Sequence, residues 1–144
     1  MKQQDRDDKV EEPTAVYNAA SSAAGETVER IRAGLPMVEF VALQELLGIG
    51  AEALAQHLAI SRSTLVRRRK SGRLDMQESD RLLRFARLYA RALTVLQNEA
   101  TACDWLKQPA RALDFITPLT FAETEIGARE VEALLGRIEH GVFS

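Results

Sequence analysis

The chain has few residues that interrupt helices. Its 144 residues include 8 glycines and 4 prolines, against 21 alanines and 18 leucines. Because helix breakers are scarce and strong helix formers abundant, the composition predicts an all-α fold. With 46% hydrophobic and 28% charged residues, the chain can bury a core, and wholesale disorder is not expected. The length is that of about one domain, which excludes a large multidomain enzyme.

Cysteine and histidine are also scarce. The single Cys103 permits no internal disulfide, and with His57 and His140 it makes a poor ligand set for zinc. We therefore expect no metal site, no cofactor and no enzymatic activity, because catalysis by acid, base or nucleophile needs a base beside a nucleophile. His57 is predicted on an exposed helix face. Cys103 is predicted as a small core residue, since no basic residue nearby in the sequence would lower its pKa.

Long apolar runs are absent as well. No stretch approaches the roughly 18 apolar residues of a membrane helix. The charged start MKQQDRDDKVEEP is not followed by an apolar segment. No membrane partner is expected, and a cytoplasmic location follows by default.

Positive charge is concentrated in one segment. Residues 62–91 hold ten Arg or Lys and three acids, whereas the other residues hold nine basic and eighteen acidic groups. A basic segment inside a protein of net charge −2 predicts a polyanion partner on one face. A well-solvated pair of helices is the alternative.

The start of this basic segment has a helix-turn-helix pattern in AEALAQHLAISRSTLVRRRKSGRL. Leu54, Ala55 and Leu58 form one face of a short helix, and Ile60 lies in the turn. Ser61 is predicted to cap a second helix from about Arg62 to Ser71, which Gly72 ends. The segment resembles the helix-turn-helix of Xre-type repressors. It departs from them at Ala59, where glycine is frequent, and at Arg68, where many keep an apolar residue.

If the second helix enters a major groove, its N-terminal side chains face the base edges. Arg62, Ser63 and Arg67 are therefore the candidate base-reading residues. Arg69, Lys70 and Arg73 are the candidate phosphate contacts. Because one short recognition helix offers a small contact, we expect a homodimer.

A long helix is predicted to follow. Its apolar residues have helical spacing over four turns: Leu82, Phe85, Ala86, Tyr89, Leu93 and Leu96. Its arginines fall on a second face: Arg81, Arg84, Arg87 and Arg91. They are interpreted either as a solvated surface or as contacts with phosphates or an acidic partner.

The last part of the chain is acidic and contains the only tryptophan, Trp105, a core residue or an interface anchor. A helix is predicted to break at Pro109, and Thr117 with Pro118 starts another. A final helix has Val131, Leu134, Leu135 and Ile138 on one face and ends at Gly141. The segment is too short for a large core of its own, so it must pack on the rest of the chain or on a partner.

A more specific resemblance joins these parts. The stretches TLVRRRKSGRL, ESDRLLRFARL, WLKQP, TPL and GAREVEALLGRIEHGVFS are similar to the Xre/MbcA/ParS antitoxins over residues 35–144. The matching residues follow in the family's order: Trp105, Leu106, Pro109, Leu113, Pro118, Gly127, Val131, Leu134 and Gly141. The chain departs from the family at LDFIT, before Pro118, where small residues including glycine are common.

Residues 1–25 have little apolar periodicity and few bulky side chains, so they are predicted to form a flexible N-terminal tail. The resemblance implies that an Xre-like helix-turn-helix domain (26–97) and a C-terminal toxin-binding domain (98–144) follow. It also implies that the partner is a RES-domain toxin that degrades NAD, neutralised by direct binding, and that the complex regulates its operon through operator DNA. By this resemblance the toxin contacts lie at the C-terminus, in Glu139, His140, Gly141, Val142, Phe143 and Ser144. The alternative is a stand-alone regulator whose C-terminal segment only dimerises it.

Overall fold

The computed structural model describes residues 24–141. The helices of this range are α1 (Ala24–Ala33), α2 (Met37–Leu47), α3 (Ala51–His57), α4 (Arg62–Ser71), α5 (Met76–Leu96), α6 (Glu99–Lys107), α7 (Pro118–Phe121) and α8 (Glu125–Glu139), with a 3₁₀ turn at Arg111–Leu113. No strand occurs among the described residues, which confirms the predicted all-α fold.

Two helix starts follow the predicted capping signals. The Ser61 Oγ accepts a hydrogen bond from the Thr64 N–H (3.2 Å), and α4 occupies the predicted range. Gly72 ends α4 with a left-handed backbone (φ 80°), which glycine adopts at little cost. Thr117 caps α7, whose first residue is Pro118. Local side-chain chemistry therefore sets these boundaries.

The start of α5 uses a capping signal that the sequence analysis did not identify. The Asp75 carboxylate accepts from the Glu78 N–H (2.8 Å), while the Glu78 carboxylate accepts from the Asp75 N–H (2.9 Å). This reciprocal pair is a capping box. It caps the helix at Asp75, so that α5 begins at Met76.

Helix α5 is the centre of the fold. It packs against α1, α2, α6 and α8. Its predicted apolar face is buried at Leu82, Phe85, Ala86 and Tyr89. A single cluster of buried residues extends from Leu35 to Leu135. The helix-turn-helix and the C-terminal helices therefore share one core.

The final helix α8 closes this core. Val131, Leu134 and Leu135 are buried, and α8 lies against α5. This confirms that the C-terminal segment packs on the rest of the chain. Glycine is required at position 127, where an added Cβ would lie 1.7 Å from the Phe121 carbonyl oxygen, so α7 and α8 approach each other more closely than any side chain would allow.

Two predictions lie outside the described residues. They are the interpretation of residues 1–23 as part of a flexible tail, and the role of Val142, Phe143 and Ser144. Within residues 24–141, no helix is long and apolar enough to cross a membrane.

Candidate functional site

The turn between α3 and α4 fixes the direction of α4. The Ile60 N–H donates to the Ala55 carbonyl (2.8 Å), and Ala59 adopts a positive φ of 56°. Ala59 thus has the left-handed backbone that explains why glycine is frequent at this position in related repressors, and its side chain makes this φ unfavourable. Leu65 is the buried residue of α4 and faces the core, so the opposite face of the helix points to solvent.

The exposed face of α4 is mainly cationic. Most candidate DNA contacts are exposed there: Arg62, Ser63, Arg67, Arg69 and Lys70. Arg62 lies 3.2 Å from Glu52, but both side chains are largely solvent-exposed (81% and 69%), so the pair holds them weakly. Arg69 and Lys70 make no hydrogen bond or ion pair within the described part of the chain. These two charges are available to a partner.

Val66 lies on this face and was missed by the sequence analysis. Its side chain is 46% exposed, and it follows Arg62 by one helical turn. The spacing was sufficient to find it, because positions four residues apart share a helix face. Val66 adds an apolar surface to this cationic face, and that surface makes van der Waals contacts that the charged side chains do not provide.

Arg68 differs from its neighbours on α4. Its Nε donates to Glu78 (2.7 Å) and its Nη2 donates to Asp75 (3.2 Å). The hydrogen bond with Glu78 raises the pKa of Arg68 above its ordinary value, against the opposing effect of desolvation. The position where related repressors keep an apolar residue is therefore filled here by an ion pair with the start of α5.

Arg73 lies beyond the end of α4 and has a role within the fold. The residue is exposed, but its Nη1 donates to the Gly34 carbonyl (2.9 Å). The Leu74 N–H also donates to the Leu35 carbonyl (2.9 Å). Arg73 therefore ties the end of the helix-turn-helix to the loop after α1.

Three of the four arginines on α5 form hydrogen bonds with other helices and turns of the same chain. Arg81 donates to the Leu58 carbonyl (3.3 Å), and Arg84 donates to the Glu123 carbonyl (3.1 Å). Arg91 is hydrogen-bonded to Glu139. Because their partners lie in other helices and turns, these three arginines do not form a freely solvated surface. Their contact with phosphates or an acidic partner stays a prediction. Arg87 remains exposed.

His57 does not lie on an exposed face, and this expectation is wrong. Its side chain is 18% exposed, and Nδ1 lies 2.8 Å from the Glu123 carboxylate. Its ring packs against Phe85, with centroids 5.9 Å apart. The contact joins α3 to the segment before α8, which is distant in sequence.

Cys103 and Trp105 are both half-buried and pack against the core. The Cys103 thiol donates to the Leu46 carbonyl (2.7 Å). Burial raises the pKa of this thiol, although Lys107 acts in the opposite direction. Lys107, one helical turn away, is a basic neighbour that the sequence analysis overlooked. The thiol remains protonated and serves packing.

The candidate toxin contacts begin at the end of α8. Glu139 is bound to Arg91, and the exposed His140 follows as the helix cap. Gly141 turns the chain with a φ of 70°. Along residues 24–141, no three His, Cys, Asp or Glu side chains come together as a metal site would require. The described part of this candidate site is therefore a helix end that one ion pair holds on α5.

The helix-turn-helix region and the C-terminal region each match a known protein family. Residues 26–87 match the family model of the antitoxin Xre-like helix-turn-helix domain. Residues 90–141 match that of the antitoxin Xre/MbcA/ParS C-terminal toxin-binding domain. The two matches meet within α5.

Individual relatives agree with these matches. An antitoxin Xre from Yersinia enterocolitica is 41% identical over 85 residues, which are 58% of this chain and 57% of that protein. One from Photorhabdus laumondii is 39% identical over 74 residues, 51% of this chain and 50% of that protein. The chain thus spans about half the length of these curated relatives. Because the two family models follow one another over nearly all described residues, the chain belongs to the Xre/MbcA/ParS family of antitoxins.

Proposed function

We propose that the protein is an antitoxin with two binding surfaces. It binds operator DNA through α4 and represses its own operon, and it neutralises a cognate NAD-degrading RES-domain toxin by blocking the toxin's active site. The observation that carries the proposal is the exposed cationic face of α4 on a chain that also matches a toxin-binding domain. The protein acts by binding in a cytoplasmic setting and has no enzymatic activity of its own.

The DNA surface is the outer face of α4. Arg62, Ser63 and Arg67 lie on its first two turns, where a recognition helix faces base edges. Val66 lies between them, and its methyl groups suit contact with the methyl group of thymine. Arg69 and Lys70 near the helix end, with Arg73 beyond it, contact phosphates.

Repression requires a homodimer in this proposal. Paired recognition helices about 34 Å apart fit two half-sites one helical turn apart. Light scattering at micromolar concentration, with and without DNA from upstream of the gene, checks this. A monomer in both conditions that still binds the site tightly would contradict it.

The toxin surface is the C-terminal end of α8 and the residues that follow. NAD is anionic, so the toxin site that binds it carries basic groups. Residues 101–144 hold seven acids and four bases and complement such a site. Glu139 pairs with these cations, while Val142 and Phe143 add apolar contact and Ser144 extends the contact. His140 and Gly141 lead the chain from the helix into the toxin.

Glu139 must leave Arg91 to take this role. Both side chains of the pair are 37% exposed, and exposed pairs contribute about 0–1 kcal/mol. The exchange of Arg91 for a toxin cation therefore costs little.

Deletion of residues 140–144 tests the blocking mechanism. The truncated protein should keep its circular dichroism spectrum and its DNA affinity but protect cells less well from the product of the adjacent reading frame. Full protection by the truncated protein would show that another region blocks the toxin. Loss of the helical spectrum would show that the segment serves the protein's own core.

The second candidate is a stand-alone regulator whose C-terminal region only dimerises it. The shared core that joins α5 and α8 is compatible with it. A pull-down of the product of the adjacent reading frame separates the two functions, because the regulator has no toxin partner. Incubation of the purified chain with NAD tests the remaining possibility, an enzyme, and we expect no loss of NAD.

A further inference from the structure

The loop between α6 and α7 exposes an aromatic side chain that the fold does not use. Phe115 is 70% exposed and the next residue, Ile116, is 40% exposed. The flanking residues Leu113 and Pro118 are buried. The residues on either side are therefore part of the core, while Phe115 and Ile116 between them are exposed to solvent.

The loop holds this pair in a defined position. The Ala110 N–H donates to the Ile116 carbonyl (3.1 Å), and the Phe115 N–H donates to the Ala110 carbonyl (2.9 Å). A further bond from the Ile116 N–H to the Leu113 carbonyl (3.0 Å) closes the turn. These backbone bonds fix the loop, so little conformational entropy is lost when Phe115 binds a partner.

The backbone of this loop is unfavourable for its residues. Asp114 and Phe115 both have positive φ angles, 55° and 62°. Aspartate tolerates this region, whereas a bulky side chain rarely occupies it. Glycine at position 115 would relieve the strain, so the fold alone gives no reason for phenylalanine. Strain of this kind is typical of residues that bind ligands or partners.

We infer that Phe115 is a hydrophobic anchor for the toxin, inserted into an apolar pocket of that protein. The inference rests on the proposed antitoxin function. The loop lies inside the segment that matches the toxin-binding domain, residues 90–141. An exposed aromatic on a rigid loop is also a typical interface hot spot. The anchor forms a second contact, separate from the C-terminal end of α8.

The experiment measures binding to a catalytically inactive form of the product of the adjacent reading frame. Phe115→Ala and Phe115→Gly should weaken the complex at least fivefold. The control is Val41→Ala, which removes another exposed apolar side chain (44%) from α2, outside the segment that matches the toxin-binding domain, and should leave the affinity unchanged. DNA binding should be unchanged in all three variants.

Melting temperature separates a binding role from a structural one. Phe115→Gly should melt no lower than the wild type, because glycine suits the positive φ. A lower melting temperature that accounts for the lost affinity would overturn the inference, as would a loss smaller than fivefold. If the variants instead dissociate a homodimer and still bind toxin normally, the anchor serves a second copy and the inference is wrong. Failure of the wild type to bind the toxin would overturn the proposed function as well.

Discussion

The arginines of α4 and those of α5 come from one basic segment of the sequence, yet they have different surroundings. On α4, Arg67 and Arg69 are exposed, whereas on α5, Arg84 is 17% exposed and contacts the segment before α8. Two neighbouring groups of like charge therefore serve two purposes. The exposed cations of α4 are available to a polyanion, whereas Arg84 and Arg91 of α5 contact the C-terminal helix and the segment before it.

The number of cations in the basic segment is therefore larger than the number of DNA contacts it can make. The ten cations of residues 62–91 are not ten sites for DNA, because several already contact carbonyl or carboxylate groups of the same chain. Only cations that exchange counterions for phosphates contribute to the salt dependence of binding. The proposed set is Arg62, Arg67, Arg69 and Lys70 of α4, with Arg73 beyond the helix, which is exposed although it also contacts Gly34.

Arg68 is the α4 arginine that behaves like those of α5, and removal of its partner should have the largest effect. Glu78→Ala leaves Arg68 without its 2.7 Å partner and breaks the capping box. We expect the free energy of unfolding to fall by about 2–3 kcal/mol, measured by urea denaturation. Asp80→Ala, at an exposed position on the same helix, is the control. If both variants lowered the free energy of unfolding by the same small amount, the Arg68 ion pair would contribute no more than an exposed surface pair.

Arg67→Ala should affect DNA binding rather than stability. Loss of a base contact costs about 1–3 kcal/mol of binding free energy, while the free energy of unfolding should change by less than about 0.5 kcal/mol. Gel-shift titrations on the upstream DNA and on random DNA measure the effect. Equal losses on both DNAs would make Arg67 a phosphate contact. Arg129→Ala removes the same charge from α8, where the side chain is 76% exposed, and should leave DNA binding unchanged.

Arg84→Ala should show the opposite pattern. It removes the hydrogen bond to the Glu123 carbonyl, which should lower the free energy of unfolding by about 1–2 kcal/mol without weakening DNA binding. Thermal melts and gel shifts on the same preparation provide the measurement. Arg87→Ala, on the exposed side of the same helix, should melt as the wild type does. A strong DNA defect in Arg84→Ala would contradict the division between the two helices.

Lys70→Ala should have the smallest effect. The slope of log affinity against log salt concentration should fall by about 0.9, the value for one phosphate contact, on specific and random DNA alike. Lys107→Ala removes a lysine from α6 and should not change the slope. An unchanged slope in Lys70→Ala would show that Lys70 does not contact phosphate.

The sequence predicted what local interactions determine. Ser61, Gly72 and Thr117 act on groups within four residues, so the start and end of α4 and the start of α7 were predicted correctly. The exposed positions of Arg62, Ser63 and Arg67 follow from the same helix, because Leu65 fixes which face is buried.

Contacts between distant residues were not predictable. The partners of Arg84 and Arg91 lie 39 and 48 residues away, and Glu123 lies 66 residues from His57. Hydrophobic periodicity identifies which face of a helix is polar. It does not identify the residues elsewhere in the chain that contact that face. The residue type at position 115 does not predict its positive φ, because such angles are expected at glycine or asparagine. The only signal was the departure from the family at LDFIT, where glycine is common.

The most direct test of the division between α4 and α5 is the reaction of each arginine with phenylglyoxal, measured by mass spectrometry with and without the upstream DNA. Arg62, Arg67 and Arg69 should react quickly in the free protein and be slowed at least about fivefold by DNA, because phosphates and bases cover them. Arg84, at 17% exposure, should react slowly in both states. Protection of Arg84 by DNA, with the three α4 arginines unchanged, would contradict the account.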